Sequence, residues 1–506
     1  MRWRNYVIGA TAIAVLAWSA IALAQNLVER EARAVLDAWV RTPPAPFTAF
    51  KYGAVRFDFA ERRLAITDIE LMGAPDIERV AIEAVTIIDP QPFVLDNVLN
   101  PSRYTDGKGQ GDFTQVASRI EIRTIEVTSS DGEATIATVT TGAVALRQFA
   151  QAPTAQVLGG DAGKIAGIIM PGVRAEEVIV NRVAWRQDSG GASLARVTVR
   201  GLDAGRVAQA RIDDVRLVDK EEDVESEAVT IGSIAVDGID LTRALPDMAA
   251  GRPVSVTDPE RKAQFDRWEL LALSGPALAV HGFSLARMGA DVSRPANRAT
   301  ERVNFYADGI RLAAPTDPES PVARILLGLE YPSLTGTIAC LSDSDNAGKR
   351  WTVEPCALSL PGAGTLSLTY TLSGLDVSAP ASVDGGEALM ESLAAASLDW
   401  FRLGVRDDGL ADRALAHGAR SAGQPEEAFR RALVAQIRAG ADAYGGGSPR
   451  VRRVVDAVSA FIDRPGALTV ALEPGAPVAL GSLDVSLLAN PAAAADRLGL
   501  TGTHAR

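Results

Sequence analysis

The segment "VTIGSIAVDGIDL", Val229 to Leu241, places apolar residues at 229, 231, 234, 236, 239 and 241, so that gaps of two and three alternate. On an α-helix, at about 100° per residue, the first four would point near about 0°, 200°, 140° and 340°, scattered around the axis. On a strand, residues two apart share a face. Each three-residue gap then throws the next pair to the opposite face unless one residue is absorbed in a bulge or corner. The rhythm therefore specifies β-structure that bends repeatedly while keeping one apolar side.

The same pattern, Φ-x-Φ-x-x-Φ-x-Φ, recurs in "LAITDIEL" (Leu64, Ile66, Ile69, Leu71), "VAIEAVTI" (Val80, Ile82, Val85, Ile87) and "IEIRTIEV" (Ile120, Ile122, Ile125, Val127). It returns in "VIVNRVAW" (Val178, Val180, Val183, Trp185) and "LAVHGFSL" (Leu278, Val280, Phe283, Leu285), with shorter echoes from Val197, Ile212 and Val303. The copies are irregularly spaced, which makes this a style of strand and not a tandem repeat. Asp131-Gly132, Gly190-Gly191 and Asp237-Gly238 read as hairpin turns of an antiparallel meander. "TQVASR" near Thr114 and "LGGDAGKIAGIIMPG" from Leu158 read as small helical or loop pieces. "PVSVTDPERKAQFDRWELLAL" reads as a helix opened at Asp258-Pro259.

Beyond Gly386 the pattern changes. "GGEALMESLAAASLDWFRLGV" fits a helix or an amphipathic strand. "GQPEEAFRRALVAQIRAGADAY" predicts a helix, with Pro425 at its start, Glu426 and Glu427 in its first turn, and Phe429, Leu433 and Ile437 at helical spacing. A second helix carries Val451, Val454, Val455, Val458, Phe461 and Ile462 on one face and stops at Pro465-Gly466. Strands in "ALTVALEP" and "LGSLDVSLL" follow, and Asn490-Pro491 opens a short Ala-rich helix.

The N-terminus, "MRWRNYVIGATAIAVLAWSAIALAQ", sets Arg2 and Arg4 before an uncharged run whose apolar part, Tyr6 to Ala24, can span a hydrocarbon layer of about 30 Å. The two arginines predict a cytoplasmic N-terminus and an exported bulk. Ala22-Leu23-Ala24 also supplies an A-x-A cleavage site, but the run is longer than the apolar region of most signal peptides, so an uncleaved anchor is the reading taken. The two cysteines, Cys340 and Cys356, flank "LSDSDNAGKRWTVEP". Outside the cytoplasm they can staple the arms of a hairpin, a cross-link worth about 3 kcal/mol for a loop of roughly 15 residues. The alternative is two unrelated thiols at strand ends.

Composition narrows the function classes. With 506 residues, 47% of them apolar, the chain can bury a large core. A formal charge of −12 repels nucleic acid, so no nucleic-acid partner is expected. His281, His417 and His504 have no H-E-x-x-H setting, and no G-x-S-x-G elbow occurs. "LGGDAGKI" lacks the first glycine of a phosphate loop, and Ile165 stands where Ser or Thr would follow Lys164. Asp343, Asp345, Gly348 and Glu354 match four positions of a calcium loop, but Ala347 breaks the pattern, which reads instead as a polar hairpin loop. The acidic stretch Asp219 to Glu227 reads as a solvated loop or as a docking site for a basic partner. No catalytic residue, metal or cofactor is expected.

Through its strand rhythm, as in "VTIGSIAVDGIDL", residues 5–385 resemble the AsmA-like superfamily of Gram-negative envelope proteins. The layout is also similar to the uncharacterised single-span periplasmic families of the YdgA type (DUF945). The AsmA-like resemblance implies an elongated, curved antiparallel sheet whose apolar inner groove conducts phospholipid.

The expected fold is thus mainly β with α. A signal anchor spans 1–25, a juxtamembrane linker helix 26–45, a β-rich periplasmic domain 46–385, a helical region 386–465, and strands with a short helix 466–506. Ile120, Ile122, Ile125 and Val127, with Ile231, Ile234, Val236, Ile239 and Leu241, are the candidates for a lipid-binding apolar groove; ordinary core packing is the competing role of each. The expected function is lipid binding or conduction in support of outer-membrane biogenesis, at the inner membrane and facing the periplasm. The alternative is a non-enzymatic scaffold that recruits envelope proteins.

Overall fold

A computed structural model describes residues 28–505 apart from 44–46, 59–60, 75–76, 91–112, 148–161, 188, 222–223, 253–261, 295–299, 316–320, 346–347, 376–392 and 483–489. The expected anchor, residues 1–25, lies outside the described residues. Among those described, no helix is long and apolar enough to cross a membrane. Antiparallel strands dominate, with helices between them, and contacts divide the chain into two units, Met1–Trp268 and Glu269–Arg506.

The first unit begins with helix α1 (Val28–Arg41) and runs through β1 (Ala49–Lys51), β2 (Val55–Asp58), β3 (Arg63–Ala74), β4 (Ile77–Ile88), β5 (Thr114–Ala117), β6 (Arg119–Ser129), β7 (Gly132–Thr141) and β8 (Val144–Leu146). Helix α2 (Ala162–Ile169), β9 (Val173–Gln187), β10 (Gly190–Asp203), β11 (Arg206–Glu221), β12 (Val224–Asp240) and α3 (Leu245–Ala249) complete it. Across the sheet the order is β3, β4, β6, β7, β9, β10, β11, β12, every neighbour antiparallel, with β1 and β2 both on the outer edge of β3.

Pairing aligns the apolar residues of all eight strands into transverse rows. One row runs Leu64, Ile87, Ile120, Thr141, Val178, Val199, Ala210, Val236; the next runs Ile66, Val85, Ile122, Val139, Val180, Val197, Ile212, Ile234. The three-residue gap then falls at the same level in every strand, as a seam. On β3, β6, β9 and β11, every second strand, the seam residue takes a positive φ: Asp68 at 54°, Thr124 at 46°, Arg182 at 51° and Asp214 at 58°. Pairing resumes in unchanged register beyond it, as between Thr67–Ala84 and Ile69–Ile82. The expected extra residue is therefore taken up here by one left-handed residue and not by a bulge. That residue turns the pleat over, so that Ile66 and Ile69, three apart, share a face.

A second seam crosses at Gly201 of β10 (φ 61°) and Gly238 of β12 (φ 63°), on either side of Ala208. Asp237-Gly238 is thus not the expected hairpin turn but a mid-strand kink. Asp131-Gly132 does close a hairpin, between Ser129 and its partner Gly132.

The second unit holds β13 (Arg267–Ser274, which begins in the first unit), α4 (Pro276–Ala279), β14 (Phe283–Ser293), β15 (Thr300–Ala313), α5 (Pro321–Gly328), β16 (Ser333–Asp345), β17 (Arg350–Leu360), β18 (Gly364–Ser373) and β19 (Ser397–Asp407). Helices α6 (Leu410–Ser421), α7 (Glu426–Tyr444) and α8 (Pro449–Asp463) follow, then β20 (Ala467–Leu472), β21 (Val478–Ala479), α9 (Pro491–Arg497) and β22 (Leu500–Ala505). Strands β14 to β19 form an antiparallel meander, extended by β20 and then β22. Leu415, Val434 and Ile462 form the core between α6, α7 and α8. Cys340 and Cys356 are register partners on β16 and β17 and are disulfide-bonded.

Several local expectations are corrected. Residues 267–274 form a strand where a helix was expected; residues 253–261, its expected start, lie outside the description. Thr114–Ala117 is strand β5 and not a helical piece. In "LAVHGFSL", Leu278 and Val280 are not on a strand: Pro276 follows Gly275 into the single turn of α4, Gly282 (φ 69°) ends that turn, and only Phe283 and Leu285 enter β14. "LGSLDVSLL" opens with a 3-10 turn over Leu480–Ser482, and its remainder lies outside the described residues. Helix α6 lies within the expected helical region 386–465 and terminal strand β22 within the expected strand region 466–506, although neither was read as a separate element.

Replacing Arg182 tests the seam. Arg182→Gly removes a left-handed penalty of about 1–2 kcal/mol and is expected to raise the urea unfolding midpoint, whereas Arg182→Val is expected to lower it. Reducing the disulfide is expected to cost about 3 kcal/mol in the same measurement.

Candidate functional site

The apolar rows change character as they cross the first unit. On β6, Ile120, Ile122, Ile125 and Val127 are 2%, 4%, 1% and 3% exposed. They belong to a closed core with Leu64, Ile66, Val85 and Ile87, joined by Ala32 and Leu36 of α1 and by Phe47 and Phe50. On β9 the row members Val178, Val180, Val183 and Trp185 are half-buried and border that core. On β12, Ile231, Ile234, Val236 and Ile239, and Leu241 just beyond it, are half-buried as well. Leu217 of β11, in the row that ends at Val229, is 41% exposed.

The two groups of candidate residues thus lie on one continuous face, five strand spacings or about 24 Å apart. One end is closed and the other partly open. The open portion includes residues that were not singled out as groove candidates, among them Leu194, Val197 and Val199 of β10. Their signal was legible, because each is the cross-strand partner of a rhythm residue: Val183, Val180 and Val178.

Helix α1 contributes Ala32 and Leu36 to the closed end, and its polar side chains satisfy a sheet edge. Glu29 accepts the Phe57 N–H at 3.2 Å, and Arg33 donates to the Val55 carbonyl at 3.2 Å, so β2's outer edge is capped by α1. Trp39 meets Phe50 edge to face at 5.4 Å. Tyr52 donates its hydroxyl to Asp37 Oδ1 at 2.5 Å. Burial, reinforced by that hydrogen bond and by the neighbouring negative charge of Asp37, pushes the Tyr52 pKa up to about 12.

Along the first seam, Thr124, Glu126, Thr135, Arg182, Asp214 and Arg216 border a shallow depression of ≈ 510 Å³ together with the apolar Ile136, Val183 and Leu194.

The remaining sequence candidates are dispersed. His281 is exposed beside α4, His417 lies half-buried on α6 against Gly328, and His504 of β22 meets the Phe461 ring at 6.3 Å. Lys164 sits within α2. Asp343 is held by Arg302 through two hydrogen bonds of 2.7 and 2.9 Å, which keeps its carboxyl below the usual carboxylate range, and Asp345 accepts the Gly348 N–H at 2.9 Å. The acidic stretch from Asp219 spans the end of β11 and the start of β12, and its tip, residues 222–223, lies outside the described residues. Among the described residues no group of His, Cys, Asp and Glu is arranged to hold a metal.

A family model described as "Uncharacterized protein" matches residues 357–505, from the end of β17 to β22. No curated protein matches the chain.

The Tyr52 shift carries a pH signature. A hydroxyl whose pKa is raised on folding stabilises the fold at pH values below 10, and that contribution is lost as pH rises from about 10 through about 12. Spectrophotometric titration is expected to show late-ionising tyrosines, Tyr52 and the Tyr370 hydroxyl that burial pushes up among them, and Asp37→Ala is expected to bring Tyr52 back toward 10.

Proposed function

We propose that this protein binds lipid along the apolar face of β9 to β12 and acts as a carrier or conduit in the cell envelope, anchored in the inner membrane with its bulk in the periplasm. One observation carries the reading: rows of apolar side chains that are closed over at β3 to β6 continue, in register, onto strands where the same positions stay half-exposed. A run of such residues beyond a few hundred Å² marks a surface for an apolar ligand. Acyl chains suit it, because the strand rows offer long continuous contact and no convergent set of polar groups to orient a small polar molecule. The elongated, curved groove implied by the AsmA-like resemblance belongs to this proposal, as does the role of Ile231, Ile234, Val236 and Ile239 as its lining. Ile120, Ile122, Ile125 and Val127 serve the same face as its packed end.

The test is photocrosslinking of the full chain in a Gram-negative host. A photoreactive amino acid is placed at position 234 on the apolar face, or at position 211, an exposed position on β11 whose neighbour Ile212 faces the rows. Lipid adducts, read by mass spectrometry, are expected at 234 and not at 211, and Ile239→Asp is expected to reduce them. Protein adducts at 234 with no lipid would favour an envelope scaffold instead.

A further inference from the structure

Burial of the first unit's apolar face changes along the strands as well as across them. On β11 the row residues run from Val207, 6% exposed, through half-buried Ala210, Ile212 and Val215 to Leu217, 41% exposed. On β9 they run from Ala175, 2% exposed, to half-buried Val183 and Trp185. The face is therefore closed at the end of the strands where β10 turns into β11, and open at the end where β9 turns into β10 and β11 into β12.

Helices α2 and α3, which lead into β9 and away from β12, build the closed end. Leu245 of α3 is 5% exposed and sits against the turn between β10 and β11, its Cδ1 2.5 Å from where a Cβ on Gly205 would stand. Gly167 of α2 meets the backbone of Met248 and Ala249 so closely that a Cβ there would lie 2.2 Å from the Ala249 nitrogen. Ile169 packs on the closed core. The Ala204 N–H donates to the Val173 carbonyl at 2.9 Å and the Leu241 N–H to the Gly205 carbonyl at 3.0 Å, which laces the strand ends together.

The open end is built differently. There β3 and β4, β6 and β7, β9 and β10, and β11 and β12 are each joined by only two residues. Two residues complete a hairpin and leave none to fold back over the face. The long connections of residues 89–113 and 147–161 both leave from the closed end.

We infer that a phospholipid lies on this face with one polarity: its headgroup sits at the hairpin end, beside Leu217 and Val229, and its acyl chains point along the strands toward α2 and α3. This rests on lipid binding by the same face. A headgroup carries polar and charged atoms that must stay in water, and only the hairpin end leaves them there. The dimensions agree. An acyl chain spans half of a hydrocarbon layer, roughly 15 Å, and the five residues of β11 from Leu217 to Ile212 span roughly 17 Å. The chain ends then lie near Ile212 and Ile234, short of Val207, and the lipid is loaded and released across the hairpin end. A lipid lying along a row, across the strands, would instead hold both of its ends at the same depth.

The test incubates the full chain with phosphatidylcholine vesicles carrying a trace of phosphatidylcholine with a diazirine either beside the ester carbonyl or at the end of one acyl chain. After irradiation, trypsin separates Ile212 from Leu217, because it cleaves after Arg211, Arg216 and Lys220. The carbonyl-side diazirine is expected to mark peptide 217–220 and the terminal one peptide 212–216, as read by mass spectrometry. A bulky polar maleimide on Leu217→Cys is expected to remove most of both adducts, whereas the same label on Arg206→Cys, an exposed position at the closed end, is expected to leave them unchanged. Both diazirines marking the same peptide, the reverse assignment, or an equal loss from the label at 206 overturns the polarity while lipid adducts at position 234 still stand. Absence of adducts at every position, 234 included, overturns it together with the lipid reading on which it rests.

Discussion

Antiparallel pairing locks the phase of one strand to that of the next, and the first unit depends on that lock. Cross-strand partners share a face, so when Asp68 turns the pleat of β3 over, β4 must turn at the same level, and then β6 must as well. A strand that failed to turn would send half of its apolar side chains into water. The rhythm of two and three seen in single segments is therefore a property of the whole sheet, carried from β3 to β12 by hydrogen bonding. In the second unit the same need is met differently. Gly309 of β15 is left-handed opposite Ala286, and the pairing of β15 with β16 shifts register beside it, which is a true bulge.

Once the rows exist, what covers them decides what they are for. Leu36 and Ala32 of α1, with Phe47 and Phe50, join the closed core of the rows at β3 to β6, where each fully buried Leu or Ile is worth about 1.5–3 kcal/mol. The polar side of α1 also closes the sheet edge at β2, which would otherwise offer free backbone groups to another strand. Farther along, on β9 to β12, the same side chains are only partly buried, so the same kind of residue forms both a closed core and a partly open face.

Polar chemistry in the described residues serves mainly to hold elements in place. Arg302 and Asp343 tie β15 to β16 beside the disulfide, and Arg430 gathers Asp412, Glu426 and the Ile462 carbonyl at the junction of α6, α7 and α8. Such pairs fix geometry more than they add stability, since most have at least one partner well exposed to water. The calcium-like spacing at Asp343 is an example: on a strand, that carboxylate meets an arginine across the ladder and not the neighbours a calcium loop would give it.

Periodicity alone determined that this chain is antiparallel β with one apolar side, that helices follow near the C-terminus, and that Cys340 and Cys356 could meet across a hairpin. Those features rest on contacts close in sequence or on a period repeated often enough to survive noise. Tertiary structure decided the rest. Asp237-Gly238 has the chemistry of a hairpin turn, yet it lies mid-strand because β11 continues past it and supplies partners on both sides. Residues 267–274 have an acceptable helical composition but are drawn into a strand, and Val280 leaves its expected strand because Pro276 and Gly282 set a turn around it. Nor could the rhythm separate Ile122 from Ile234, which occupy the same row in the same spacing. One is buried and the other half-open because Ile122 lies in a core completed by segments beyond its own sheet neighbours, among them α1, Phe47, Phe50, β5 and β8, and exposure depends on what lies above a strand, a contact that spacing within the strand does not encode.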